Sequence, residues 1–411
     1  MPRSGGAVIP MKDEVVILAG VRQPEKEPWE PFAAPVLDFL EQLSREIRRE
    51  RRKYEQLAAF GFWCRRSHME EFRKRYEDGR SRLGRGVVFH ITASNVPVLF
   101  GYSLVMGLLA GNSCSVRISS KSREQDQILC RIMDRILTRP EYKGIRRRIS
   151  VFSCQRYSLA VREALSDCAG CVVWGGDRTI MEIRCMRIRP DAVQLNFPDR
   201  YSICILDTLQ LGNITEEELK NLAHRFYNDT YLLDQNACSS PAIVIWNQEE
   251  ESKEAENARV RWWNAVDEEA RSYDLTAHKA MAKYELLCRY AMTLDVETKI
   301  SCYGNRLYTM ELGDIPSDID QLRGAFGMFF EYRGDWRKAL THLASGRLQT
   351  ITYHGIEEQK IVDFVIKNHL FGVHRIVPAG RAAVMDPVWD GHDFIAVLSR
   401  QIGREAQDAF V

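Results

Sequence analysis

The chain has 411 residues, 45% hydrophobic and 27% charged, with 57 basic against 56 acidic side chains and a net charge of +1. That length allows two or three domains with real cores. So even a charge balance excludes a general electrostatic commitment to nucleic acid or to an anionic membrane surface. No apolar run reaches the ~18 residues of a membrane span; Val96 to Leu109 comes nearest and is broken by Gly101 and Gly107. Eleven cysteines without a repeated spacing follow a Met1-Pro-Arg-Ser-Gly-Gly start that lacks the apolar core of a secretory leader. Free thiols in a reducing, cytoplasmic setting are therefore expected.

In chain order, residues 1–33 read as an arm or a short extended element. Residues 34–80 read as helical, with Val36, Leu37, Leu40, Leu43 and Ile47 at helical spacing. The same region turns basic at Arg48, Arg49, Arg51, Arg52 and Lys53 and again at Arg73, Lys74 and Arg75, among interspersed glutamates. Such a run is a solvated helix face or a patch for phosphate groups. Residues 1–83 are thus expected as an N-terminal arm and helical region.

From Gly84 strands and helices alternate. Val87–Ile91, Cys114–Ile118, Ile149–Phe152, Cys171–Trp174 and Tyr201–Leu206 are strand-like runs. Val98–Leu109 is apolar nearly all round, as a buried helix is, and Gly111 closes it at a left-handed cap. The alternation predicts an α/β fold whose first domain, 84–206, is a doubly wound, parallel, dinucleotide-binding sheet with ligands at the carboxyl ends of its strands. Thr215 with Glu218 three residues later is a capping box that starts the next helix. Strand-like runs at Ala242–Trp246, Met328–Tyr332 and Leu348–Tyr353 predict a second α/β domain over 207–370, followed by a C-terminal segment, 371–411.

Four stretches carry possible chemistry. Thr92-Ala-Ser-Asn95-Val-Pro97 lies between a strand and a helix, where an Asn amide can hold an oxyanion; a turn and helix cap would use the same residues. Trp174-Gly-Gly-Asp177 places Gly175 and Gly176 where a cofactor phosphate can approach helix N–H groups, although it is not a GxGxxG fingerprint. Arg117-Ile-Ser-Ser-Lys121 is a basic loop able to contact ribose or phosphate. Asp234-Gln-Asn-Ala-Cys-Ser-Ser-Pro241 sets one thiol, Cys238, among small residues before a buried strand. Walker A, HExxH and GxSxG patterns are absent from the sequence, which removes the common NTPase, zincin and hydrolase readings.

Gly86-Val-Val-Phe-His-Ile-Thr-Ala-Ser-Asn-Val-Pro97, Leu108-Leu-Ala-Gly-Asn112, Trp174-Gly-Gly-Asp177 and Asp199-Arg-Tyr-Ser202 resemble, in order, motifs of the acyl-CoA reductase family of bacterial luminescence. Phe226-Tyr-Asn-Asp229, the Cys238 stretch, Arg375-Ile-Val-Pro-Ala-Gly-Arg381 and Asp386-Pro-Val-Trp-Asp-Gly391 continue the set, so the resemblance runs from about Gly84 to Phe394. It implies an aldehyde-dehydrogenase-like fold and NADPH-dependent reduction of a fatty acyl-CoA or acyl thioester to the aldehyde. By position, Cys238 matches the nucleophile and Asn95 the side-chain amide that shares the oxyanion with the Cys238 N–H. Arg117 and Ser119 match the adenosine-ribose loop, and Gly175 and Gly176 the cofactor-phosphate turn. Thr92, Ala93 and Ser94 are expected to line the cofactor crevice. The general-base glutamate of oxidising relatives belongs near Gln194-Leu195, and a glutamine cannot take a proton from water, which suits a reductase whose acyl-enzyme must survive. The resemblance further implies a homo-oligomer and an acyl-activating or acyl-transferring partner enzyme. An acyltransferase and a non-catalytic acyl-binding subunit are the competing readings.

Overall fold

In the computed structural model, residues 15–50, 54–93, 95–119, 123–248, 250–294, 299–316 and 319–403 are described. Contacts divide the chain into two compact units, one of residues 1–198 and 393–411, the other of residues 199–392.

The first unit is built on a six-stranded sheet. Its strands are β1 (Val16–Gly20), then, after the short β2 (Arg82–Gly84), β3 (Val87–Ile91), β4 (Ser113–Ile118), β5 (Ile149–Ser153), β6 (Gly170–Trp174) and β7 (Val193–Phe197). The order is β1-β5-β4-β3-β6-β7. β3 to β7 run parallel, and β1, the extended element expected near the N-terminus, pairs antiparallel with β5. The chain moves outward from β3 in one direction and then resumes at β6 on the other side, so the β3/β6 junction is the topological switch point. The helix Leu99–Leu109 is buried on almost every residue, as its all-round apolar pattern requires. Gly111 ends it at φ +86, where a Cβ would lie 2.1 Å from the Trp29 carbonyl oxygen. The expected helices near the N-terminus are Ala34–Glu50, Glu55–Trp63 and Arg66–Arg75. Several of their basic side chains meet carboxylates: Arg45 pairs with Glu41, Arg66 with Asp38 and Glu70, and Arg73 with Glu77. Arg51, Arg52 and Lys53 lie outside the described residues.

The second unit holds a seven-stranded sheet of β8 (Tyr201–Asp207), β9 (Pro241–Asn247), β10 (Lys299–Tyr303), β11 (Leu307–Glu311), β12 (Met328–Gly334), β13 (Leu348–His354) and β14 (Arg375–Pro378). Its order is β10-β11-β12-β9-β8-β13-β14, parallel except for β10. The period of two along a strand separates two cores. Ile203, Ile205, Ile243 and Ile245 face one layer with Trp336, Leu340 and Ile361; Cys204, Leu206, Val244 and Trp246 face the other with Phe226 and Trp262. The helix beneath that second face, Glu216–Asp229, begins with the expected Thr215/Glu218 capping box.

One strand changes sheets relative to the sequence reading. Tyr201–Asp207, expected to complete the first sheet, pairs with β9 and β13 in the second. A fully buried apolar strand shows no alternation that would reveal its partners, so periodicity cannot assign it.

Candidate active site

The thiol lies on a loop whose shape is fixed before the sheet begins. After the turn Tyr231–Leu233, Asp234 and Gln235 both adopt left-handed backbone, at φ 55 and 56, and reverse the chain. That local strain is held by side chains. The Gln235 amide oxygen accepts from Gly327 N at 2.7 Å and Met328 N at 3.1 Å, and its nitrogen donates to Met328 O at 3.0 Å. Asp234 accepts from the Tyr273 hydroxyl and pairs with Lys279 at 2.9 Å. The Ser202 hydroxyl donates to the Cys238 carbonyl at 2.7 Å and accepts from Thr350 N at 3.2 Å, tying the thiol's backbone to β8 and β13.

Seven of the eleven cysteines are buried; Cys238 is half-buried and sits three residues before β9. Because the strands are parallel, the chain segments leading into β8, β9 and β12 meet at one sheet edge. They bring together Asp199, Cys238 and Arg323. The Cys238 Sγ donates toward Asp199 Oδ1 at 3.9 Å, and Arg323 Nη2 donates to Asp199 Oδ2 at 3.1 Å. Burial pushes the thiol up to about 11, with the Asp199 and Asp390 charges adding to it and the Arg200 N–H and Arg323 opposing. Burial thus disfavours the thiolate at neutral pH. The site therefore rests as a thiol, and catalysis needs a place for its proton.

The candidate cofactor residues gather in the first unit at the carboxyl ends of its strands. Thr92, Ala93 and Ser119 line one small crevice with Val96, Phe100 and Asp126. Arg117 is buried on β4, its Nη2 donating to Cys154 O at 3.0 Å while its Nε has no partner. Burial pushes its guanidinium down from the ordinary arginine range. Gly175 follows β6, and Gly176 caps the helix Asp177–Arg184 with open space where a Cβ would point. Asn95 is exposed, in the turn between β3 and the helix Leu99–Leu109. It does not cap that helix: the N-cap is Val98, in left-handed conformation, and Asp126 accepts the Val98 N–H at 2.8 Å. Ser94 and Lys121 lie outside the described residues.

Gln194 is not brought to this cluster. It is the exposed second residue of β7, paired in register with Cys171 near the amino end of β6. Asn196 is the residue of that strand opposite Val173, and its buried side-chain oxygen has no partner. Both positions carry amides. A carboxylate nevertheless stands beside the thiol, Asp199, which the sequence reading did not single out for chemistry. It was visible only as the first residue of a family motif, and Arg323, about eighty positions beyond Cys238 in sequence, gave no signal at all. His354 ends β13 at the opposite edge of the sheet from Cys238, too far to serve its thiol. His90 is buried against the Ser103 hydroxyl at 2.8 Å, and burial lowers its imidazole to about 3.

The crevice beyond the carboxyl ends of β3 and β4, the open backbone at Gly176 after β6 and the orphaned Nε of a buried arginine fit a phosphate-bearing nicotinamide cofactor. The fold is that of aldehyde dehydrogenases. A Thermus thermophilus 1-pyrroline-5-carboxylate dehydrogenase variant matches at TM-score 0.62 and 12% identity, over 91% of this chain and 82% of its own. Aldehyde dehydrogenase 21 from Physcomitrella patens, in complex with the reaction product succinate, matches at TM-score 0.63 and 11% identity, over 90% and 85%. A Bradyrhizobium japonicum proline utilization A variant matches at TM-score 0.60 and 15% identity, over 93% of this chain and 43% of its own, so the chain spans less than half of that protein. No curated protein matches the sequence. The LuxC acyl-CoA reductase family matches residues 30–272, more than half of the chain and a span that includes Asn95, Asp199 and Cys238. The chain belongs to the LuxC acyl-CoA reductase family, a family of oxidoreductases.

Proposed function

We propose that this chain reduces a fatty acyl-CoA or related acyl thioester to the aldehyde, with NADPH as reductant and Cys238 as the acyl carrier. The observation that carries the reading is the half-buried thiol on a loop pinned by Gln235 and Ser202, in a member of an acyl-CoA reductase family. A nicotinamide cofactor supplies hydride when bound. Thr92, Ala93, Ser94 and Ser119 would line its crevice, and the N–H groups after Gly175 and Gly176 would meet its phosphates. Arg117 is the residue assigned to a 2′-phosphate, which makes NADPH rather than NADH the proposed reductant.

Cys238, once deprotonated, attacks the acyl carbon and expels the leaving thiol, so that the acyl group rests on the protein. Asn95 is assigned the side-chain amide that stabilises the oxyanion, worth on the order of 10² to 10³ in rate. Gln194 and Asn196 are amides, neither of which can draw a proton from water, and this helps the acyl-enzyme outlast hydrolysis. A homo-oligomer, a cytoplasmic location and an acyl-activating or acyl-transferring partner enzyme complete the proposal. Among the described residues no helix is long and apolar enough to cross a membrane.

The test is loss of the reduced cofactor's near-ultraviolet absorbance on adding acyl-CoA, compared between NADPH and NADH. Cofactor oxidation matched by aldehyde supports the reading. Acyl transfer to an amine or alcohol with no cofactor oxidation would replace reductase by acyltransferase.

A further inference from the structure

We propose that Asp199 is the proton relay of the acyl-transfer step, taking the Cys238 proton and handing it to the departing thiol. This rests on Cys238 being the nucleophile and adds the group through which its proton moves. Three observations converge on it. Asp199 Oδ1 is the acceptor of the Cys238 S–H, at 3.9 Å. Its other oxygen is held by Arg323 Nη2 at 3.1 Å, which leaves Oδ1 turned to the sulfur. Arg323 is itself fixed: its backbone N–H donates to the Tyr290 hydroxyl at 3.0 Å, and its guanidinium lies 5.7 Å from the centre of the Tyr201 ring. Arg323 is thus a positioning residue, acting on the thiol through Asp199.

The chemistry needs such a group. Burial disfavours the thiolate, and the Asp199 charge disfavours it further. A carboxylate this close therefore does not serve to keep the sulfur ionised at rest. It can accept the proton while the sulfur is bonding to carbon. In the forward step the S–H bond breaks to Asp199, the Cys238 sulfur–carbon bond forms, and the carbon–sulfur bond to the leaving group breaks with its electron pair. Asp199 returns the proton to that sulfur as it departs, so that a thiol leaves and the carboxylate ends as it began. Donor and final acceptor are both thiols, so the transfer closes without an outside acid or base. No oxidation occurs in this step.

The test uses the full-length protein and radiolabelled acyl-CoA, quenched on the millisecond scale. Asp199→Asn should slow acylation on the order of 10²-fold, while Asp199→Glu retains a carboxylate and recovers most of the rate. With an aryl thioester, whose leaving group departs without a proton, the deficit of Asp199→Asn should shrink at least tenfold. Alkylation of Cys238 by iodoacetamide at alkaline pH, which needs no relay, should proceed at the wild-type rate or faster. A purely structural role would slow alkylation and both thioesters alike, and that result overturns the proposal. So does wild-type acylation by Asp199→Asn. If Cys238→Ala still takes up label, the error lies instead in the nucleophile itself.

Discussion

Gly176→Ala separates a ligand-approach role from a structural one. Gly176 is the N-cap of the helix Asp177–Arg184 with φ −63, a conformation alanine adopts freely, and nothing lies within 4 Å of an added Cβ. The fold therefore has little to lose: exchanging glycine for alanine at an N-cap costs about 1 kcal/mol or less, a shift of ~2–4 °C in melting temperature for a unit of this size. Binding has more to lose. A methyl group above the turn keeps a phosphate from the backbone N–H groups, and each charge-assisted hydrogen bond forfeited is worth ~1.5–3 kcal/mol. Loss of one or two such bonds raises the KM for the reduced cofactor at least tenfold. The acylation of Cys238, which needs no cofactor, should stay at the wild-type rate. Steady-state kinetics in cofactor, paired with thermal melting, reads both halves. A stable variant with KM within twofold of wild type would refute the placing of phosphate at this turn.

Other expectations follow from the same geometry. Gln235→Ala removes three buried hydrogen bonds from the loop that carries Cys238; at ~1 kcal/mol each, urea unfolding should show a loss of about 3 kcal/mol, and an unchanged midpoint would count against the loop's pinning. Asn95→Ala should lose ~10²–10³ in turnover while the protein still folds; full turnover would remove its oxyanion role. Burial raises Asp229 to about 7 and Asp390 to about 6 from their ordinary value of 3.8. The folded protein then binds more protons than the unfolded chain between those values, so stability should fall as pH rises from ~4 to 7 and level off above. Asp229→Asn should flatten the upper part of that fall in urea titrations across pH, and an unaltered slope would show that Asp229 is not its source.

Much of this was legible in the sequence, and the exceptions share a cause. Apolar periodicity located the strands from Val87 to Trp174, the buried helix ending at Gly111 and the Thr215 capping box, because each is a local consequence of side-chain pattern. The thiol loop announced itself by composition before an apolar strand. What stayed hidden depends on register and on distant segments. β8 carries no alternation, so its place beside β9 and β13 could not be read. Gln194 and Asn196 are two positions apart on β7, and only the pairing with Cys171 and Val173 shows which lies toward Gly175. Asp199 and Arg323 meet because parallel strands gather their preceding loops at one edge, a fact about topology rather than about either segment.

The most direct measurement is made without cofactor. Protein mixed with radiolabelled acyl-CoA, digested and mapped, should carry one acyl group on Cys238, and later addition of NADPH should release it as aldehyde. Cys238→Ala should take up no label and form no aldehyde. Label on another residue, or aldehyde formed by Cys238→Ala, would contradict the account.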